Sequence, residues 1–291
     1  MDSTRPISVP LLVSTEWLAS HLADSDVRVA DVRWSLLEPD KGRNAYLQAH
    51  VPGAVFFNVD GDLASPRGQG PGRHPLPTPE HFVACASRAG ISADTHVIAY
   101  DFGDGSTAAR LWWLLRYFGH DRVSLLDGGM ARWTAGGQPL ESRVPTYPPS
   151  TFVPRPRPEM SVDADAVERW RGDSRTLILD ARAAERYQGK VEPIDPVAAH
   201  IPGARNHPYP SNVRSAEDSR FLEPERLRER FARYGADSAE RIICYCGSGV
   251  NACQSLFALQ LAGYDSGVLY AGSWSDWCSV SSRAMKTGVE P

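Results

Sequence analysis

The chain of 291 residues repeats itself, and this repeat restricts its fold more than any other feature of the sequence. Four blocks recur in the same order at an offset of roughly 145 to 150 residues. The blocks and their counterparts are "VADVRW" (29–34) with "LILDAR" (177–182), "AHVPGA" (49–54) with "AHIPGA" (199–204), "VIAYDFGDGSTAARLWWLL" (97–115) with "IICYCGSGVNACQSLFALQ" (242–260), and "LLDGGMARW" (125–133) with "LYAGSWSDW" (269–277). The sequence therefore predicts two copies of one folding unit.

A proline-rich segment marks the boundary between the copies. The stretch "TYPPSTFVPRPRPEM" (146–160) contains five prolines. Proline fixes its own φ and favours an extended conformation in the residue before it, so this stretch is typical of a semi-rigid connector. We predict a domain over 1–145, a linker over 146–160 and a second domain over 161–291.

Within each copy, short apolar runs alternate with helical patterns. The strand candidates of the first copy are 28–33, 54–59, 96–101 and 122–127, and its helix candidates are 78–90 and 106–119. Thr78 has the residue type of an N-cap, and Pro79 suits the first turn that follows it. Apolar strands that alternate with helices predict an α/β fold, in which each domain is a parallel sheet with helices on both faces.

Composition excludes several classes of partner. The net charge of −4 gives no support for binding to nucleic acid or to an anionic membrane. No apolar run approaches the roughly 18 residues of a membrane span, and the first residues lack the zones of a signal peptide. An odd number of cysteines, five, does not suggest a disulfide framework. We therefore expect a cytoplasmic protein with reduced thiols.

The stretch "RIICYCGSGVNAC" (241–253) carries the strongest functional signal. Its apolar run predicts a buried strand that ends just before Cys246, and a helical pattern follows the loop. Cys246 is thus predicted at the carboxyl end of a strand, where the ligands of open α/β sheets bind. Gly247 and Gly249 allow the backbone to curl, so that N–H groups and the helix N-terminus favour a negative sulfur. We predict that Cys246 is a nucleophile in this loop.

Two enzyme classes place a cysteine in such a loop. Cysteine phosphatases need an arginine six residues after the cysteine to bind phosphate, but Ala252 occupies that position here. The range 242–260 contains no arginine or lysine at all. The sequence thus argues against phosphate chemistry and favours the class that transfers sulfur.

Several motifs together resemble the tandem-domain rhodanese family, in particular its mercaptopyruvate-type members. They are "CGSGV" (246–250), "AHIPGA" (199–204), "DAR" with "ERY" (180–187), "GSWSDW" (272–277), "SLLDGGMARW" (124–133) and "RLWWLLRYFGH" (110–120). The resemblance implies an enzyme that moves sulfur from 3-mercaptopyruvate, and less well from thiosulfate, through a persulfide on Cys246. It implies cyanide or a thiol such as thioredoxin or a low-molecular-weight thiol as acceptor, and neither a metal nor another cofactor.

The same resemblance implies roles for single residues. Ser248, with His74 of "GRHPLP" and Asp60 of "FFNVDGD", is expected to protonate the enolate left by mercaptopyruvate, since a hydroxyl beside the cysteine suits a proton relay. A further set is expected to bind the substrate or the transferred sulfur: Arg186, Arg182, Gly247, Gly249, Val250 and Asn251. For Arg182, a structural pair with Asp180 at the end of the sheet is the alternative.

The chain also departs from the family pattern. Asn251 stands where the family usually has threonine, and Ile194 or Asp195 stands where it has a second carboxylate-binding arginine. We expect an anion at Asp195 to repel the substrate carboxylate. Two alternatives therefore stay open: a thiosulfate sulfurtransferase, and a persulfide carrier or regulatory module that turns over small donors poorly. The first copy has Asp101 in the place of Cys246, which predicts that it is catalytically silent.

Overall fold

A computed structural model describes residues 9–291 and contains two parallel sheets of five strands each. The first sheet consists of β1 (Leu12–Val13), β2 (Val27–Asp31), β3 (Val55–Phe56), β4 (His96–Tyr100) and β5 (Val123–Leu126). The second consists of β6 (Ser161–Val162), β7 (Thr176–Asp180), β8 (Ala204–Asn206), β9 (Arg241–Tyr245) and β10 (Gly267–Tyr270). Residues 1–8, the start of the predicted first domain, lie outside the described residues. They also begin the segment in which we predict no signal peptide.

Ten α-helices connect the strands of the described residues. They are α1 (Thr15–His21), α2 (Lys41–Gln48), α3 (Pro79–Arg88), α4 (Ala108–Tyr117), α5 (Gly129–Ala135), α6 (Ala164–Trp170), α7 (Ala184–Tyr187), α8 (Pro224–Arg233), α9 (Ala252–Leu261) and α10 (Ser273–Trp277). Three short 3-10 helices span Pro158–Met160, Tyr209–Asn212 and Ala236–Ser238. No helix within residues 9–291 is both long enough and apolar enough to cross a membrane.

The two sheets have the same strand order, which confirms the predicted fold class. The order is β1-β5-β4-β2-β3 in the first sheet and β6-β10-β9-β7-β8 in the second, and every neighbouring pair is parallel. The strands and helices predicted for the first copy coincide with β2 to β5, α3 and α4. Thr78 caps α3 as predicted, because its side chain accepts a hydrogen bond from the His81 N–H at 3.2 Å.

The duplication extends to single buried side chains. His50 contacts the Tyr46 carbonyl through Nδ1 at 2.7 Å, and His200 makes the same contact with the Tyr187 carbonyl at 2.8 Å. Each histidine also stacks on that tyrosine, with ring centroids 4.1 Å and 3.8 Å apart. Two copies of one unit therefore keep not only the same strands but also the same internal contacts.

The two halves pack through one helix from each. Trp112 on α4 meets Phe257 on α9 edge to face, with ring centroids 5.0 Å apart. Both residues belong to a buried cluster that includes side chains of both sheets. Since α9 directly follows the cysteine loop, this packing brings the loop against the first half of the chain.

The proline-rich segment runs along the first half. The Arg155 N–H donates to the Phe118 carbonyl at 2.8 Å, and Phe152 is buried beside Phe82, with ring centroids 5.8 Å apart. These contacts hold the segment against the end of α4. The predicted domain limits, 1–145 and 161–291 with the linker between them, remain a proposal.

Candidate active site

Cys246 follows the last residue of β9 and is 4% exposed. The Gly249 N–H donates to its Sγ at 3.2 Å, so the loop curls back onto the sulfur. Gly249 has a φ of +76°, and a Cβ at this position would lie 2.4 Å from the Ala271 carbonyl oxygen. Only glycine fits both the backbone angle and the space, which explains why this position has no side chain.

The loop is fixed to the segment that follows β10. The Cys246 N–H donates to Ser273 Oγ at 3.1 Å. In return, the Trp274 N–H donates to the Cys246 carbonyl and the Ser275 N–H to the Gly247 carbonyl, each at 3.0 Å. Hydrogen bonds on both sides of Cys246 set the position of its sulfur before any substrate binds.

The equivalent loop of the first half shows what this backbone conformation binds. There the Asp101 carboxylate accepts hydrogen bonds from the N–H groups of four residues at 2.9 to 3.1 Å: Gly103, Gly105, Thr107 and Ala108. In the second half, the N–H groups of Ser248, Val250 and Asn251 find no acceptor within residues 9–291. The loop that contains Cys246 therefore has N–H groups without a protein acceptor among the described residues, and the corresponding loop of the first copy uses such N–H groups to bind a carboxylate.

The structure brings the three predicted relay residues together. His74 contacts Ser248 Oγ through Nδ1 at 2.7 Å and Asp60 Oδ1 through Nε2 at 2.9 Å. Because a carboxylate only accepts hydrogen bonds, we assign the ring proton to Nε2, so that Nδ1 accepts from the Ser248 hydroxyl. Trp34, which the sequence did not indicate, donates from Nε1 to Asp60 Oδ2 at 2.6 Å and orients this carboxylate.

Burial decides the charge state of the relay. It lowers the pKa of His74 below its ordinary value, and the nearby Asp60 only partly opposes this effect. The hydrogen bond from His74 lowers the pKa of Asp60 in turn. At neutral pH, the three residues therefore consist of a neutral His74 imidazole between the Ser248 hydroxyl and the Asp60 carboxylate.

Two arginines lie beside the residue that follows Cys246. A Cβ built on Gly247 would lie 3.0 Å from Arg73 Nη2 and 3.5 Å from Arg186 Nη2. Arg186 was predicted from the sequence, but Arg73 was not, although it directly precedes His74 in "GRHPLP". Arg73 comes from the first half, so the chain has a second arginine at this place despite lacking one near position 194.

Asp195 is a partner of both arginines and not a free anion facing the substrate. Its carboxylate accepts from Arg73 Nη1 at 2.5 Å and from Arg186 Nη2 at 3.2 Å. Glu192 also accepts from Arg186, through Nη2 at 2.6 Å. This corrects the expectation that Asp195 simply repels the substrate carboxylate. The negative charge of Asp195 is instead paired with two guanidinium groups, which it orients.

Arg182 is more deeply buried than Arg186. It pairs with Asp180 Oδ2 at 2.7 Å and Glu192 Oε2 at 3.3 Å, and it donates to the Ala199 carbonyl at 2.8 Å. Each of its side-chain nitrogens has an acceptor. This geometry favours the alternative in which Arg182 supports the end of the sheet, because all three of its side-chain nitrogens already contact protein acceptors.

All five cysteines are free and buried. Burial raises the pKa of Cys253 to about 12, that of Cys85 and that of Cys278 to about 11, and that of Cys244 further still. These four thiols therefore stay protonated at neutral pH and are poor nucleophiles. Among the cysteines, Cys246 alone lies in the loop with open N–H donors.

The chain is similar to known proteins over most of its length. The rhodanese-like domain family matches residues 14–136 and 163–280. A probable 3-mercaptopyruvate sulfurtransferase of Pseudomonas aeruginosa is 42% identical over 280 residues, which cover 95% of this chain and 98% of the relative. A putative thiosulfate sulfurtransferase of Mycobacterium tuberculosis, SseB, is 38% identical, with coverage of 96% of this chain and 97% of the relative.

A solved structure shares the whole architecture. The crystal structure of SseA from Escherichia coli, one of the 3-mercaptopyruvate sulfotransferases, superimposes with a TM-score of 0.81 at 34% sequence identity. The match covers 92% of this chain and 100% of that one. The two-sheet arrangement and its order along the chain are thus those of this group of proteins.

Proposed function

Because the chain belongs to the rhodanese-like domain family and is a sulfurtransferase, we propose that it moves sulfur from 3-mercaptopyruvate through a persulfide on Cys246. The observation that carries the choice of donor is the hydrogen-bonded chain from Asp60 through His74 to Ser248, two residues after Cys246. Mercaptopyruvate needs such a chain, since its carbon must receive a proton when the sulfur leaves. Thiosulfate does not need one.

In the first half-reaction, the Cys246 thiolate attacks the sulfur of 3-mercaptopyruvate. An S–S bond forms, the C–S bond breaks, and its electron pair goes to the carbon as the enolate of pyruvate. The proton of the donor thiol ends on that carbon. The hydroxyl of Ser248 and the neutral imidazole of His74 relay this proton, because one donates and the other accepts along the same hydrogen bond.

In the second half-reaction, a thiol or cyanide attacks the outer sulfur of the persulfide and restores the Cys246 thiolate. The open N–H groups of Ser248, Val250 and Asn251 hold the negative outer sulfur in the interval. Reduced thioredoxin or a low-molecular-weight thiol is the acceptor in this proposal. A cytoplasmic location, where such thiols are kept reduced, is part of it.

Arg73 and Arg186 are the proposed sites of donor recognition. Within residues 9–291, Arg73 Nη2 and Arg186 Nη1 donate to no protein acceptor, and both nitrogens lie within 3.6 Å of a Cβ built on Gly247. A carboxylate two carbons from the attacked sulfur can meet both guanidinium groups. The same pair would also attract thiosulfate, which is why a thiosulfate sulfurtransferase remains the second candidate.

Steady-state kinetics with both donors test the proposal. We expect kcat/KM to be higher for 3-mercaptopyruvate than for thiosulfate, with cyanide or a small thiol as acceptor. Mass spectrometry after each donor should show one added sulfur atom on the peptide that contains Cys246. The Cys246→Ser variant should fold but gain no sulfur and transfer none.

Other outcomes would select an alternative. Faster turnover of thiosulfate would favour a thiosulfate sulfurtransferase and remove the reason for the relay. A stable persulfide that forms on Cys246 but passes only slowly to small thiols would favour a persulfide carrier or regulatory module. Sulfur transfer by Cys246→Ser would contradict the persulfide mechanism itself.

A further inference from the structure

Arg110 on α4 is fully buried and has no carboxylate partner within residues 9–291. Within the described residues its guanidinium donates to backbone carbonyls, and the thiol of Cys253 also lies beside it. Nη2 donates to Leu63 and to His74, each at 3.2 Å, and Nη1 donates to Gly249 at 3.1 Å. The other two buried arginines of the described residues, Arg33 and Arg182, each pair with an aspartate, at 2.6 Å and 2.7 Å.

A buried cation without an anion is unfavourable, since carbonyl dipoles only partly replace the water that it loses. Arginine does not escape this cost by losing its proton. An anion that forms near such an arginine would offset this cost.

The catalytic loop places a sulfur next to this cation. Gly249 donates its N–H to Cys246 Sγ at 3.2 Å, and its carbonyl accepts from Arg110 Nη1 at 3.1 Å. The guanidinium thus lies on the other side of a single glycine from the sulfur, in a region that excludes water. At such a short range and without solvent, the attraction between opposite charges is strong.

We propose that Arg110 is the counter-charge of the Cys246 thiolate, supplied to the catalytic loop from behind by the first half of the chain. This inference rests on the proposed role of Cys246 as the nucleophile. Arg110 does not touch the reacting atoms, so it is a positioning residue with an electrostatic effect. It explains how a loop without any lysine or arginine can keep a thiolate, and why the silent half is needed for chemistry.

A purely structural role makes a different prediction. Arg110 also joins the Leu63 and His74 segments to the loop, so its loss could simply loosen the site. Loosening would change how easily a reagent reaches the sulfur at every pH. Loss of a counter-charge would lower the reactivity only where the ionisation of the thiol is incomplete.

Alkylation of Cys246 by iodoacetamide distinguishes the two roles. The reagent is neutral, so a nearby charge does not attract it, and peptide mapping identifies the cysteine that has reacted. We compare the wild-type protein with Arg110→Met and Arg110→Lys at pH 7 and pH 10. Arg116→Met is the matched control, because Arg116 lies on the same helix, contacts Gln260 of the second half and has a carboxylate partner in Asp121.

We expect Arg110→Met to alkylate at least about tenfold more slowly than wild type at pH 7 but within about twofold of it at pH 10. Arg110→Lys should recover part of the rate at pH 7, and Arg116→Met should behave as wild type. If Arg110→Met does not fold, Arg110→Gln is the neutral variant, since its amide still donates to a carbonyl.

Two results would overturn the inference. One is an unchanged rate at pH 7 in the neutral variant, and the other is an equal loss at both pH values. A wild-type protein in which Cys246 is not the fast-reacting cysteine would instead contradict the proposed function, so the two failures are distinguishable.

Discussion

At the scale of single residues, both halves of the chain contribute to one site. Cys246, Ser248 and Arg186 belong to the second half, whereas His74 and Arg73 belong to the first. The contact between His74 and Ser248 joins residues 174 positions apart. In the proposed mechanism, the chemistry of the donor therefore depends on side chains that only the packing of the two halves brings together.

The relay predicts a donor-dependent loss of activity. Ser248→Ala and His74→Ala should each lower kcat with 3-mercaptopyruvate by roughly 10² to 10⁴, the usual contribution of positioned proton transfer. Turnover of thiosulfate should fall much less, because its leaving group, sulfite, does not need to be protonated on carbon as the pyruvate enolate does. Ser255→Ala is the control, since Ser255 is buried in α9 and its hydroxyl has no partner in the described chain. Equal losses with both donors would contradict a relay.

The two arginines predict a change in KM. Arg73→Met and Arg186→Met should each raise KM for 3-mercaptopyruvate about tenfold or more, since each loses a charged hydrogen bond to the carboxylate. The value of kcat should change little, because the carboxylate is bound equally in the ground and transition states. Arg175→Met, at a side chain that is 63% exposed, is the control. Unchanged KM values would place the carboxylate elsewhere.

At the scale of the elements, the loops after β4 and β9 are the same structure with different contents. The first contains a carboxylate, Asp101, and the second a cysteine beside open N–H groups. The aspartate satisfies four buried donors, and the silence of the first half stays a prediction that rests on the inability of a carboxylate to carry sulfane sulfur. The same backbone conformation surrounds a hydrogen-bonded carboxylate in the first copy and, in the proposed mechanism, the reactive sulfur in the second.

This difference predicts an effect on stability in the first half. Asp101→Ala should lower the free energy of unfolding by about 2 to 3 kcal/mol, because four N–H groups lose a charged acceptor inside the protein. Asp101→Asn should cost less, since its amide oxygen still accepts. Urea denaturation measures both values, with the exposed Asp94→Ala as control. An Asp101→Ala variant as stable as wild type would show that the carboxylate is dispensable for the loop.

At the scale of the whole molecule, buried histidines link stability to pH. Burial lowers the pKa of His96 and that of His207 to about 4, from an ordinary value of 6.5. His207 stacks on Phe231, with ring centroids 4.7 Å apart, and neither of its ring nitrogens has a partner in the described residues. The folded state thus favours the neutral ring, whereas the unfolded chain binds the proton more readily.

The sign of the effect follows from these values. The contribution of His207 to stability is complete above about pH 6.5 and is lost as the pH falls towards 4. Between pH 8 and pH 5 the loss from this one group should be about 2 kcal/mol. His207→Phe keeps the stacking and cannot bind a proton, so its urea denaturation should depend less on pH than that of wild type. An unchanged pH dependence would contradict this explanation.

The sequence by itself determined the parts that depend on local pattern. The repeat, the alternation of strands and helices, the cap at Thr78 and the cysteine loop between β9 and α9 are all visible in short stretches, because each reflects the periodicity or the backbone freedom of neighbouring residues. Ser248, His74 and Asp60 were indicated by a resemblance in such stretches, and the structure then placed them in contact.

Only the tertiary structure decided which charges meet. Arg73 reaches Asp195 across 122 positions, and Arg110 reaches Gly249 across 139. Trp34 finds Asp60 in the same way, 26 positions away. No local pattern records these contacts, because the Trp34 contact depends on the fold of the first half, and the contacts of Arg73 and Arg110 depend on how the two halves fit together. The sequence showed an anion at Asp195 and a loop without cations, but only the packing of the two halves brought Arg73 to Asp195 and Arg110 to the loop.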